Sequence, residues 1–212
     1  MPQTTVQNEA NAGLSEEGSK TSTLKTIYSW WRDLHGHPAG VGIDGGASPA
    51  RTDEDEKPKR APNRRGDRAE LARCRTPADV AFTPAFHRLR QQLERGNEWR
   101  GQRDDMLAVL AAVLAHVRSD DRSEATYGRP SFAAQLASGD GKPRMSGLRF
   151  RRLLAVSSPE DAMSRLIDAV RLCDGKASVE SLARDVPWLL HPNEKTKKEW
   201  ALAYYSTAPT ES

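Results

Sequence analysis

The chain has 212 residues, 37% of them apolar and 29% charged, which suits one domain or two small ones with a real core and some chain left outside it. Two cysteines without CxxC spacing, a polar start and a longest apolar run of Met106 to Ala115, half of the roughly 20 residues that span a bilayer, exclude a disulfide scaffold and a membrane helix; a cytoplasmic protein with two buried free thiols is expected. The formal net charge is only +3, so the placing of charges, not their sum, must reveal any polyanionic partner.

Residues 1–23 have few apolar side chains and no periodicity, and are expected to be disordered. A first helix over 24–35 follows, with Leu24, Ile27, Trp31 and Leu34 along one face. Residues 36–65 are rich in Gly, Pro and charge and predict a flexible insertion, with an acidic run at Asp53 to Glu56. A helical region over 66–206 comes next, then a short disordered tail over 207–212.

Within that region the apolar positions from Met106 to Val117 form a stripe wide enough to predict a central core helix. Asp104 and Asp105 complement its positive end and Arg118 its negative end. Ser131 to Ala137 make a short helix closed by Gly139. Ser158, Pro159 and Asp161 start another, with Met163, Leu166, Ile167 and Val170 buried and Gly175 at its end. Ser178 caps the next helix, which Pro187 stops. Pro192 opens the last, where Trp200, Tyr204 and Tyr205 supply the large contacts. No stretch alternates long enough to propose a sheet. The predicted fold is all-α, a compact bundle of roughly eight to nine helices.

Enzymatic constellations are thin. His35 and His37 sit near a helix end, but a metal site needs three or four ligands and none is spaced nearby. His87, His116 and His191 lack recognisable partners, and no phosphate loop, nucleophile elbow or zinc-protease motif is present. No catalytic residue, cofactor or metal is expected.

The stretch from Gly141 to Pro159 contains no Asp or Glu, yet it holds Lys142, Arg144, Arg149, Arg151 and Arg152. At 100° per residue, Phe150, Leu153 and Leu154 define a buried face. Arg151 and Arg152 project from the other side, with Leu148 between them, and Arg144 falls close to Arg151 if the helix extends back that far. Arg149 flanks the buried stripe. The arrangement fits a charged outer face with one stray Leu, or a surface for an anion, whose oxygens the planar guanidinium fork matches. A second cluster comprises Arg64 and Arg65 on the loop, with Arg68, Arg73 and Arg75 on or beside the following helix. Arg103 is a further candidate, with pairing to a nearby Asp as its alternative.

The segments "GDRAELARCRTPADVAFTPAFHRL", "RMSGLRFRRLLAV", "AMSRLIDAVRLCDGKASVESLARDVPWL" and "KKEWALAYY" resemble CasB, the small subunit of the type I-E CRISPR Cascade complex of antiviral defence. The likeness runs from about Gly66 to Tyr205 and extends plausibly to the helix at Trp30 and Trp31. The resemblance implies a non-catalytic, all-helical subunit without cofactors. It implies two copies packed head to tail beside the repeated subunits that carry the CRISPR RNA, and contact with the large subunit. It also implies that basic surfaces hold the guide–target DNA hybrid and the displaced strand; the matching positions are Arg73, Arg103, Arg144, Arg149, Arg151 and Arg152. The alternative is a purely architectural helical adaptor whose arginines meet acidic protein surfaces.

Overall fold

The computed structural model describes residues 22–36, 64–96, 104–126 and 128–209. The expectations for residues 1–21, for the flexible insertion over 37–63 with its acidic run Asp53 to Glu56, and for His37 and Arg103 lie outside the described residues, whereas Ser22 and Thr23, expected in the disordered segment, belong to a helix. Among the described residues the fold is all-α, with ten α-helices, one 3-10 turn and four two-residue strands.

Helix α1 covers residues 22–34. Then come α2 (Arg64–Leu71), α3 (Pro77–Ala81), α4 (Pro84–Arg95) and α5 (Asp104–His116). Strands β1 (Ser119–Asp120), β2 (Ala125–Thr126) and β3 (Arg129–Pro130) lead to α6 (Phe132–Ala137), α7 (Gly147–Leu154) and α8 (Pro159–Leu172). Strand β4 (Lys176–Ala177), α9 (Val179–Asp185), a 3-10 turn (Val186–Trp188) and α10 (Lys195–Thr207) complete the chain.

Helix α5 is the axis. Its Ala and Leu content favours helix, Asp104 and Asp105 sit in its first turn, and Met106 to Ala115 are all buried. A helix apolar on every side must be covered on every side; α8, α3, α2, α9 and the 3-10 turn lie against it. α1 joins the same core. The Trp31 indole N–H donates to the Val117 carbonyl at 3.1 Å, and that of Trp30 to the Ala85 carbonyl at 3.2 Å.

Helix starts follow local chemistry. The hydroxyls of Thr76, Thr83, Ser131, Ser158 and Ser178 each accept a backbone N–H in the first turn of the helix that follows, a device worth about 1 kcal/mol apiece. Proline at the first position of α3, α4 and α8 loses no hydrogen bond there. Thr83 and Pro84 separate α3 from α4.

Several expectations need correction. Strand β1 pairs parallel with β4, and β2 antiparallel with β3; strands of two residues leave no alternation to read in a sequence. Arg64 and Arg65 belong to the first turn of α2, not to a loop. α10 begins at Lys195 after Glu194, held at φ +51°, and Pro192 lies in the preceding turn. Trp200 and Tyr204 are buried but Tyr205 is 55% exposed, and Trp188 is 47% exposed. Cys173 is buried, whereas Cys74 is only half-buried.

Candidate nucleic-acid interface

The basic helix is fastened at both ends of its inner face. Before it, the Met145 N–H donates to the Leu136 carbonyl and the Arg144 N–H to the Ser138 carbonyl, which ties the approach to α6. The bend needs Gly139, because a Cβ there would lie 2.3 Å from the Lys142 carbonyl oxygen. Within α7, Phe150 and Leu153 are fully buried and Leu154 is partly so. Phe150 stacks on Tyr204, whose hydroxyl donates to the Met145 carbonyl.

The outer face carries Leu148, 54% exposed, with exposed Arg149, Arg151 and Arg152 around it. None of these arginines has an acidic side chain within ion-pair distance among the described residues. Elsewhere this chain pairs its arginines readily: Arg88 with Asp67, Arg90 with Glu94 and Asp104, Arg122 with Asp120 and Glu180, Arg165 with Asp161, Arg184 with Asp185. Arg65, Arg68, Arg73, Arg118 and Arg144 likewise have no acidic side chain within ion-pair distance among the described residues; α7 differs in setting three such arginines side by side on one helix face.

Lys142 is exposed in the turn before α7. Arg144 is also exposed, but α7 starts only at Gly147, so Arg144 does not continue the row of Arg151 as the helical wheel allowed. Its charge acts instead on Asp121 and on Cys173, at the other side of the bend. Asp121 is held below the usual carboxylate range, first by the Ser123 backbone N–H and further by Arg144 and Lys176.

The second sequence cluster divides. Arg64 leads α2, with its side chain outside the described residues; Arg65 and Arg73 are exposed, and Arg75 is exposed beside the α3 cap. Arg68 is half-buried and acts on His116 at the end of α5. Arg118 and Arg171 act on the same imidazole. Arg118 lies two residues past the end of α5 and Arg171 in the last turn of α8.

Among the described residues no group of three His, Cys, Asp or Glu side chains is placed to hold a metal ion. His35 Nε2 lies 3.3 Å from the Leu114 carbonyl with its ring against Trp31, a packing role.

A family model described as CRISPR-associated protein Cse2 matches residues 67–205. The chain belongs to the Cse2 family. Cse2, or CasB, is a structural subunit family of the type I-E CRISPR Cascade, so the chain is a component of that complex. Neither curated proteins nor solved structures supply a match. The Cse2 span contains Arg68, Arg73 and the whole of α7, and leaves Arg64 and Arg65 just before it. Helix α1 also precedes the span, yet Ile27, Trp30, Trp31 and Leu34 are part of the Cse2 core. Among the described residues no helix is long and apolar enough to cross a membrane.

Proposed function

We propose that this Cse2 subunit stabilises the RNA-guided R-loop by holding DNA backbone, without reading sequence, on the outer face of α7. The observation that supports this most is Arg149, Arg151 and Arg152 standing exposed on a firmly anchored helix with no acidic partner among the described residues. Guanidinium forks bind phosphate oxygens in pairs. Phosphate contacts position a strand without specifying it, as suits a complex in which the guide supplies specificity. Lys142 and Arg144 precede α7 in the chain, and Arg65, Arg73 and Arg103 are candidates for further backbone contacts. The partners on this proposal are the guide–target hybrid, the displaced strand, the repeated and large Cascade subunits and a second copy of this chain.

The test uses the assembled complex with Arg149, Arg151 and Arg152 changed to Ala, and follows R-loop formation over a salt series. Each lost single-strand phosphate contact removes about 0.7 from the log–log salt slope, so the slope should fall by about 2. Unchanged slope and affinity in a normally assembled complex would remove α7 from the DNA surface.

The exposed Leu148 favours a second reading, an architectural adaptor whose α7 meets an acidic protein surface with an apolar centre. The same variant would then impair assembly and leave the salt slope of the complexes that do form unchanged.

A further inference from the structure

A groove of about 280 Å³ opens where α3 packs on α4, α5 and α8. Pro77, Ala81, Phe86 and Ala108 give it an apolar lining. Its volume falls just below the roughly 300–1,000 Å³ of small-molecule pockets, so it suits one or two side chains of a protein. Phe82, next in the chain to Ala81, is 83% exposed, the most exposed large apolar side chain among the described residues. Scattered apolar side chains on a surface are ordinary; an aromatic held beside an apolar groove is a larger feature. The Phe82 N–H donates to the Asp79 carbonyl at 3.2 Å. The next residue, buried Thr83, donates its hydroxyl to the Val80 carbonyl at 2.8 Å and accepts the Phe86 N–H at 3.3 Å. The backbone that displays Phe82 is therefore fixed before anything binds.

Three carboxylates also line the groove, Asp104, Asp105 and Glu160, against one cation, Arg90. Arg90 is already engaged, with Asp104 at 3.0 Å and Glu94 at 3.1 Å. Asp105 and Glu160 are exposed and have no cationic side chain within ion-pair distance among the described residues. The positive ends of α5 and α8 favour acids here, but Asp104 and Asp161 already stand in those first turns. Asp105 and Glu160 add negative charge beyond that, in a chain of net charge +3. Such a surface repels phosphate, so nucleic acid does not suit it.

We propose that the groove beside Phe82 is a protein-docking site for a segment of a neighbouring Cascade subunit that carries an Arg or Lys next to an apolar side chain. The basic side chain lays its stem along the alanines and turns its head to Asp105 and Glu160, as long cations do at apolar surfaces. The apolar side chain packs on Phe82, and buried aromatics of this kind carry a large share of interface energy. This site is separate from α7 and does not depend on what α7 binds.

The experiment adds the full chain, labelled with a fluorophore at its N-terminus, to Cascade assembled on CRISPR RNA without this subunit. Anisotropy follows incorporation over a salt series. F82A and D105N/E160Q should each weaken incorporation about tenfold, while D105E/E160D keeps most of it. Added salt screens ion pairs, so incorporation of D105N/E160Q should depend less on salt than that of the native chain, and that of F82A equally. A78R, which fills the groove from an exposed position and keeps every acid, should block incorporation too. R149A/R151A/R152A should incorporate as the native chain does. Native incorporation and salt dependence in F82A, A78R and D105N/E160Q would overturn the site and leave the α7 reading standing. Sedimentation in which the native chain alone self-associates and F82A or A78R is monomeric would also overturn it, because the occupant would then be a second copy.

Discussion

Tyr204 stacks on Phe150 with ring centroids 3.9 Å apart and planes 10° apart, while its hydroxyl donates to the Met145 carbonyl. One side chain of α10 thus holds both the entry to α7 and its inner face, and so sets where Arg149, Arg151 and Arg152 point. Tyr204→Phe keeps the stack and loses the hydrogen bond, which should cost about 1 kcal/mol in urea unfolding. Tyr204→Ala removes both and should cost about 3–5 kcal/mol. It should also speed amide exchange in α7 and weaken R-loop formation with every arginine intact.

Asp185, 6% exposed, accepts from the Ser181 hydroxyl and the Trp200 indole N–H, both at 2.9 Å, and from Arg184. The Arg184 guanidinium also donates to the Pro130 carbonyl at 3.2 Å, and Asp185 is its only acidic partner among the described residues. Asp185→Ala should therefore destabilise the fold by about 2–4 kcal/mol, because it leaves the buried Ser181 hydroxyl and Trp200 N–H without their acceptor. Trp200→Phe, which loses only one donor and some volume, should cost less; denaturant titration of the two variants checks the order.

Burial, and then Arg171, Arg68 and Arg118, hold the His116 imidazole below its ordinary value of 6.5. A folded pKa below the unfolded one favours the neutral ring in the folded chain. Its contribution to stability is present above pH 6.5 and is lost as pH falls through the folded value. Without nucleic acid, thermal unfolding should move to lower temperature between pH 7 and pH 5, and less so in H116Q. Arg118→Ala, by removing one repelling charge, should also flatten the profile.

Burial pushes the Cys173 thiol up to about 11, and desolvation with nearby Asp79 and Glu70 also raises Cys74. Only thiolate reacts quickly with alkylating reagents. Because Cys74 is half-buried and Cys173 buried, iodoacetamide near neutral pH should label Cys74 slowly in the folded chain. Cys173 should react only after denaturation, as peptide mass mapping would reveal.

Much of the helical layout is legible in the sequence because it is local. Ser158 with Pro159 and Asp161 writes the start of α8, and the division of α7 into Phe150 and Leu153 inside, Leu148 and the arginines outside, follows from helical period alone. The unforeseen features depend on neighbours distant in sequence. Tyr205 follows buried Tyr204 in α10 but faces outward, and Trp188 ends a 3-10 turn with its ring exposed against His191. Arg144 leaves the predicted row because backbone bonds to α6 delay the start of α7.

The all-α class, the core identity of α5 and the cationic outer side of α7 are written in runs of adjacent residues, since helix hydrogen bonds and period link positions only three or four apart. Which cations have counter-charges is a different matter. Arg88 finds Asp67 across 21 positions only because α4 packs on α2, and the charges of Arg68 and Arg171 reach His116 only because α2 and α8 pack on α5. Charge interactions act through space at a few ångströms, so the chain had to fold before an arginine could be known as paired or as open to a phosphate.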